Sequence, residues 1–115
     1  MPDKFGDKIR LQHVLDAIET IQFYVSKASY QSFTEDPMMQ DACIRQLQVI
    51  GEACNKVNKT LKQQHSEIPW NQIIGLRIIV IHEYFGVDDR VTWDVIQNDL
   101  PVLQDQVKKI ILEVE

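Results

Sequence analysis

Apolar residues recur at intervals of three and four along almost the whole chain, and no run alternates with period two for long enough to suggest a sheet. From about Lys8 to Ala28, Leu11, Val14, Leu15, Ile18, Ile21 and Val25 form one stripe, with Gln12, Asp16, Glu19 and Gln22 on much of the opposite face. Residues Gln31 to Asp36 read as a polar break, after which Asp36 can cap and Pro37 can open a second helix. That helix is predicted to reach about Leu61 and to bury Met39, Cys43, Leu47, Ile50, Cys54 and Val57. Gly51 sits in its middle at a cost of about 1 kcal/mol relative to Ala. Close approach of a neighbouring helix is the usual compensation.

Gln63 to Ile68 reads as a connector, and Pro69 opens a third helix to about Tyr84, with Ile74, Ile78, Ile81 and Phe85 as a narrow packing seam. The Gly86–Asp89 stretch stops it, and a short helix over Val91 to Asn98 precedes Pro101, which breaks or restarts the helix. Val102, Leu103, Val107, Ile110, Ile111 and Val114 line the last one. The expected fold is all-α, a four- to five-helix up-and-down bundle. With 115 residues and no internal repeat or linker, residues 1–115 read as a single domain.

Seventeen acidic residues against twelve Lys and Arg give a net charge of −5. That balance excludes a broadly basic nucleic-acid coat but leaves room for a local basic site. Cys43 and Cys54 fall on one helix, about 16 Å apart along its axis, whereas a disulfide needs Cα atoms within about 7 Å. With no CxxC pair, zinc and thioredoxin-type readings lack support. The charged opening residues do not resemble a signal peptide, and the longest aliphatic run, Ile78 to Ile81, is far short of a membrane span. A cytoplasmic location is expected.

Few side chains here suit catalysis. His13 and His65 read as solvated, and His82-Glu83 lacks the second His that a zinc helix needs, because Gly86 occupies that position. No phosphate-binding glycine loop or G-x-S-x-G elbow is present. Arg77 and His82 are the basic groups of a mostly aliphatic segment, about 140° apart around a helix. Arg77 and Tyr84 share a face, about 10 Å apart along the axis. Two such helices meeting across a twofold axis could bring Arg and His from both chains into one cleft. A core His with a snorkelling Arg is the plainer reading of the same residues.

Arg77, four residues, then His82-Glu-Tyr84 resembles the Arg-x4-His-x-Tyr motif of HepT-like proteins in the HEPN superfamily. The likeness extends to Arg45-Gln-Leu-Gln-Val-Ile-Gly-Glu-Ala53, Ile68-Pro-Trp70, Gly75-Leu-Arg77, His82 to Asp88, Trp93 and Leu100-Pro-Val-Leu103, in order and spacing. The resemblance implies a homodimeric, metal-independent endoribonuclease, without a cofactor, acting as the toxin of a toxin–antitoxin pair. It implies RNA as substrate and a cleft lined by Arg77 and His82 of both subunits. His82 would move the proton as the 2′-hydroxyl attacks its own phosphate, and Arg77 would meet the charge on the phosphoryl oxygens. The implied antitoxin is a minimal nucleotidyltransferase, with Tyr84 at the position that accepts AMP. One departure stands out: the residue after the motif Arg is usually polar, and here it is Ile78. It sustains a rival reading, a catalytically silent helical module binding a nucleotidyltransferase or a nucleotide. Trp70 and Trp93 read as packing anchors, and Arg45 as a solvent-facing or salt-bridged residue.

Overall fold

The computed structural model describes residues 4–78 and 89–114, and every regular element among them is helical. In chain order these are α1 (Lys4–Tyr24), α2 (Tyr30–Thr34), α3 (Pro37–Lys56), α4 (Lys59–Gln64), α5 (Trp70–Ile74), a 3₁₀ turn over 75–78, α6 (Asp89–Asp94), a π turn (Val95–Asp99) and α7 (Leu100–Val114). The fold is an all-α bundle in which α1 packs against both α3 and α7.

The stripes read from the sequence become one continuous core. Leu11, Val14, Ile18 and Ile21 of α1 are fully buried against Cys43, Leu47, Ile50 and Cys54 of α3 and Val107 and Ile110 of α7. Each aliphatic side chain withdrawn from water contributes about 1.5–3 kcal/mol, which holds the three long elements together. On the opposite stripe of α1, Gln12, Asp16 and Glu19 stay in solvent, with Gln12 Nε2 donating to Asp16 Oδ1 at 3.0 Å, whereas Gln22 is half-buried and bonds Gln104 of α7.

Several boundaries differ from the periodic reading. Helix α1 begins at Lys4, so Asp7 lies within its first turn. Asp7 is 3% exposed, and its Oδ1 accepts the Asn58 backbone N–H at 3.0 Å with Arg10 3.7 Å away. The expected polar break from Gln31 to Asp36 is mostly α2. Ser29 and Ser32 cap it reciprocally, and Phe33 is fully buried, 5.2 Å from the Trp93 ring. Helix α3 starts as expected, with Asp36 Oδ1 accepting the Met39 N–H at 3.0 Å, but ends at Lys56 rather than Leu61. There Val57 turns extended and Asn58 Oδ1 takes the Thr60 N–H at 2.8 Å, a local bond that starts α4.

Pro101 is the second residue of α7, where the α-helix restarts after the π turn. The π turn ahead of it carries the Leu100 N–H back to the Val95 carbonyl, widening the spiral where a proline ring would meet the preceding turn. On α7, Leu103, Val107, Ile110 and Ile111 are buried as expected, whereas Val102 is 58% exposed. The seam expected on the third helix is also displaced. Trp70 and Ile73 are buried and Leu76 packs against the core, while Ile78 is 46% exposed; Ile81 and Phe85 lie outside the described residues. Ile74 packs against the core as expected, and the 3₁₀ turn over 75–78 brings Leu76 to the core and leaves Ile78 in solvent.

Candidate functional site

The segment carrying Arg77 is placed by α3. An ideal Cβ on Gly51 would lie 2.6 Å from the Arg77 backbone nitrogen, and 3.0 and 3.1 Å from the carbonyl oxygens of Ile73 and Ile74. No larger residue fits at that position without moving the 73–77 backbone. This is the close approach that a mid-helix glycine signals. One turn earlier on α3, Gln48 Nε2 donates to the Arg77 carbonyl at 3.1 Å. Arg77 therefore has both backbone polar groups beside α3, while its side chain is exposed. At the other end of α5, the Trp70 indole N–H donates to the His65 carbonyl at 3.0 Å and the Trp70 N–H to the Ile68 carbonyl at 2.8 Å.

Of the residues the sequence singles out, Arg77 stands exposed, with its backbone beside Gly51 and bonded to Gln48. His82 and Tyr84 lie outside the described residues. Gln48 was missed as a contributor, although it lies inside the same α3 motif and one helical turn before Gly51. Trp70 is buried and Trp93 stacks on Phe33, so both are packing anchors. Arg45 and Glu52 are exposed on α3.

The other histidines divide. His13 is exposed and lines an open groove of about 420 Å³ between α1 and α3, together with Arg10, Glu52 and Lys56. His65 is not the solvated side chain expected: it is 15% exposed, with Nε2 3.1 Å from Glu113 Oε2 and Nδ1 3.6 Å from Glu67 Oε1. Its neighbours and its carbonyl bond to Trp70 give it a structural part, tying the α4–α5 connector to the end of α7.

Both cysteines are free and buried. Burial pushes the Cys43 thiol up to about 11 and the Cys54 thiol up to about 12, the latter against the opposing pull of Lys62. Neither offers a thiolate near neutral pH. Among the described residues, no group of three His, Cys, Asp or Glu side chains is arranged to hold a metal ion, and no helix is long and apolar enough to cross a membrane.

The chain is 40% identical over 101 residues to "Putative RNase TTE0752" of Caldanaerobacter subterraneus subsp. tengcongensis, covering 88% of this chain and 90% of that one. It is 36% identical over 107 residues to "Probable ribonuclease HepT" of Thermococcus cleftensis, covering 93% and 97% of the two chains. A further relative, "Gamma-glutamylcyclotransferase and putative RNase MJ0434" of Methanocaldococcus jannaschii, is 36% identical over 94% of this chain, which spans 49% of that longer protein. No solved structure matches. The pattern of the ribonuclease HepT-like family matches residues 14–110, from the middle of α1 to the last turns of α7, and the chain belongs to that family.

Proposed function

We propose that residues 1–115 form a single HEPN-type domain acting as a metal-independent endoribonuclease toxin, a homodimer whose cleft is lined by Arg77 and His82 of both subunits. The observation that carries this reading is the placement of Arg77 in a chain of the ribonuclease HepT-like family. Its backbone lies against Gly51 and is bonded to Gln48, while its guanidinium is open to solvent. A fork of donors on a held backbone suits a phosphate whose charge grows as it passes through a five-coordinate state.

In the proposed reaction the 2′-oxygen of RNA bonds to the adjacent phosphorus, and the bond to the 5′-oxygen of the next nucleotide breaks. His82 takes the 2′-hydroxyl proton and a proton is delivered to the departing oxygen, leaving a 2′,3′-cyclic phosphate and a 5′-hydroxyl. The partner is a minimal nucleotidyltransferase antitoxin in the cytoplasm. It neutralises the toxin by AMP transfer: the Tyr84 hydroxyl oxygen attacks the α-phosphorus of ATP, pyrophosphate leaves, and the phenolic proton goes to solvent. A phosphodiester on Tyr84, seven residues from Arg77, would place negative charge where the RNA phosphate binds.

The test is incubation of wild type, Arg77→Ala and His82→Ala with total RNA in excess chelator. Cleavage by wild type alone is expected; equal cleavage by His82→Ala would overturn the assignment. One feature favours a second reading, a silent module that binds a nucleotidyltransferase: the exposed, apolar Ile78 directly follows Arg77. Ile78→Asn raises cleavage if the enzyme is impaired at that position, and leaves it at zero if the module is silent.

A further inference from the structure

A cavity of about 540 Å³ opens between α4, the connector that follows it, and α5. Lys59, Lys62, Gln63 and Asn71 stand around it, Ile74 and Trp70 supply apolar wall, and none of its lining residues is a carboxylate. In a chain with five more acidic than basic residues, a cavity lined by two lysines and no carboxylate is a local site for an anion. The neighbouring cavity on the other side of α5, about 400 Å³, includes Glu67 and Asp99 in its lining and has the opposite character.

The walls are held in place. Lys62 Nζ donates to the Cys54 carbonyl at 3.2 Å and the Asn55 carbonyl at 3.5 Å. An ammonium has three donors, so one remains for a ligand. Trp70 is fixed by its indole bond to His65. Asn71 and Ile74 lie one turn apart on α5, and Arg77 follows three residues later in the 3₁₀ turn over 75–78. Arg77 lies roughly 5–6 Å beyond Ile74 along the axis, within reach of the next phosphate of a strand held in the cavity.

We propose that this cavity is a nucleotide subsite. Lys59 and Lys62 take a phosphate, Ile74 and the edge of Trp70 receive a base, and the Asn71 and Gln63 amides supply donors and acceptors for its edge. The assignment rests on the ribonuclease reading, with the nucleotide belonging to the RNA strand whose reacting phosphate lies at Arg77. Lys59, Gln63 and Asn71 are exposed, so substituting them leaves the core intact.

The test compares wild type, Lys59→Gln and Asn71→Ala in two assays. Binding to a fully 2′-O-methylated single-stranded 12-mer is followed by anisotropy from low to high salt. Cleavage of the corresponding RNA gives KM and kcat separately. Lys59→Gln is expected to weaken binding about tenfold at low salt and to flatten the salt slope by about 0.7, the loss of one phosphate contact on a single strand. KM rises with kcat within twofold, and Asn71→Ala weakens binding without changing the slope. Wild-type binding with an unchanged slope and KM in Lys59→Gln overturns the subsite and leaves the ribonuclease reading standing. If wild type neither binds nor cleaves RNA, titration with AMP decides: saturable binding lost in Lys59→Gln supports a cavity for a free nucleotide, and its absence overturns the proposal.

Discussion

Replacing Gly51 with Ala tests whether α3 positions Arg77. The added Cβ meets the Arg77 nitrogen at 2.6 Å, and an ordinary contact begins near 3.4 Å, so the 73–77 backbone must retreat by about 0.8 Å. The groups it meets are backbone atoms with no side-chain rotamer to yield. Overpacking costs about 1–3 kcal/mol, while Ala in place of Gly in a helix returns about 1 kcal/mol. The net loss is about 0–2 kcal/mol, or a fall of up to about 8 °C in Tm for a domain of this size. With Arg77 in its proposed role, activity should suffer far more, because misplacing a catalytic group by about 1 Å costs on the order of a hundredfold. Gly75→Ala is the control. Nothing lies within 4 Å of the Cβ built there, and its φ of −59° suits any residue. That variant should keep full activity and gain about 0.4–1 kcal/mol. RNA cleavage and thermal unfolding on both variants decide the matter. Gly51→Ala cleaving RNA within twofold of wild type would refute the positioning argument, whatever its Tm.

Gln48→Ala removes the side-chain bond to the Arg77 carbonyl and should lower kcat/KM about 3- to 10-fold with little change in Tm; a loss confined to Tm would contradict it. Phe33→Ala empties a fully buried site beside Trp93 and should cost about 3–5 kcal/mol by urea titration, whereas a cost under about 1 kcal/mol would mean that α2 is dispensable. The buried thiols predict an alkaline weakness. Both thiols titrate higher in the folded chain than in the unfolded one, so above about pH 9 the unfolded state releases protons that the folded state keeps. Their contribution is complete below pH 9 and is lost as pH rises toward 11–12. The double variant Cys43→Ala, Cys54→Ala should show a flatter fall of stability between pH 9 and 11 than wild type; parallel falls would place the loss elsewhere.

The long helices were legible because their burial has a single period. The stripe from Leu11 to Val25 and the α3 set from Cys43 to Val57 become core residue for residue. The boundaries were less legible because they depend on short polar bonds that competing signals mask. Ser29 and Ser32 turn a polar stretch into a capped helix around Phe33, and Asn58 divides a run whose apolar spacing continues to Leu61. Pro101 predicts a break or a restart alike, and only the π turn before it shows a restart within a continuous helical run. At Ile78 the period itself failed. Spacing of four places both Ile74 and Ile78 in the seam, but after Ile74 the tightening over 75–78 turns Leu76 to the core and Ile78 outward.

The candidate site was half legible for a related reason. Arg77 can be found from its neighbours in the sequence, since its chemistry is unusual in an aliphatic run. The groups beside its backbone are only partly legible: a mid-helix Gly51 signals that something approaches closely but not what, and Gln48 signals nothing. Gly51 costs α3 helical propensity, and only the proximity of the Arg77 nitrogen explains why a glycine is needed there. Gln48 is one polar residue among many on α3 until its amide is seen at the Arg77 carbonyl. Both lie in the same stretch of α3 as the hydrophobic residues that set the core, so one helix fixes packing on one face and Arg77 on another. This coupling separates two kinds of defect. Changes at Leu47 or Ile50 should lower stability and activity together, whereas changes at Gly51 or Gln48 should lower activity well before the fold gives way.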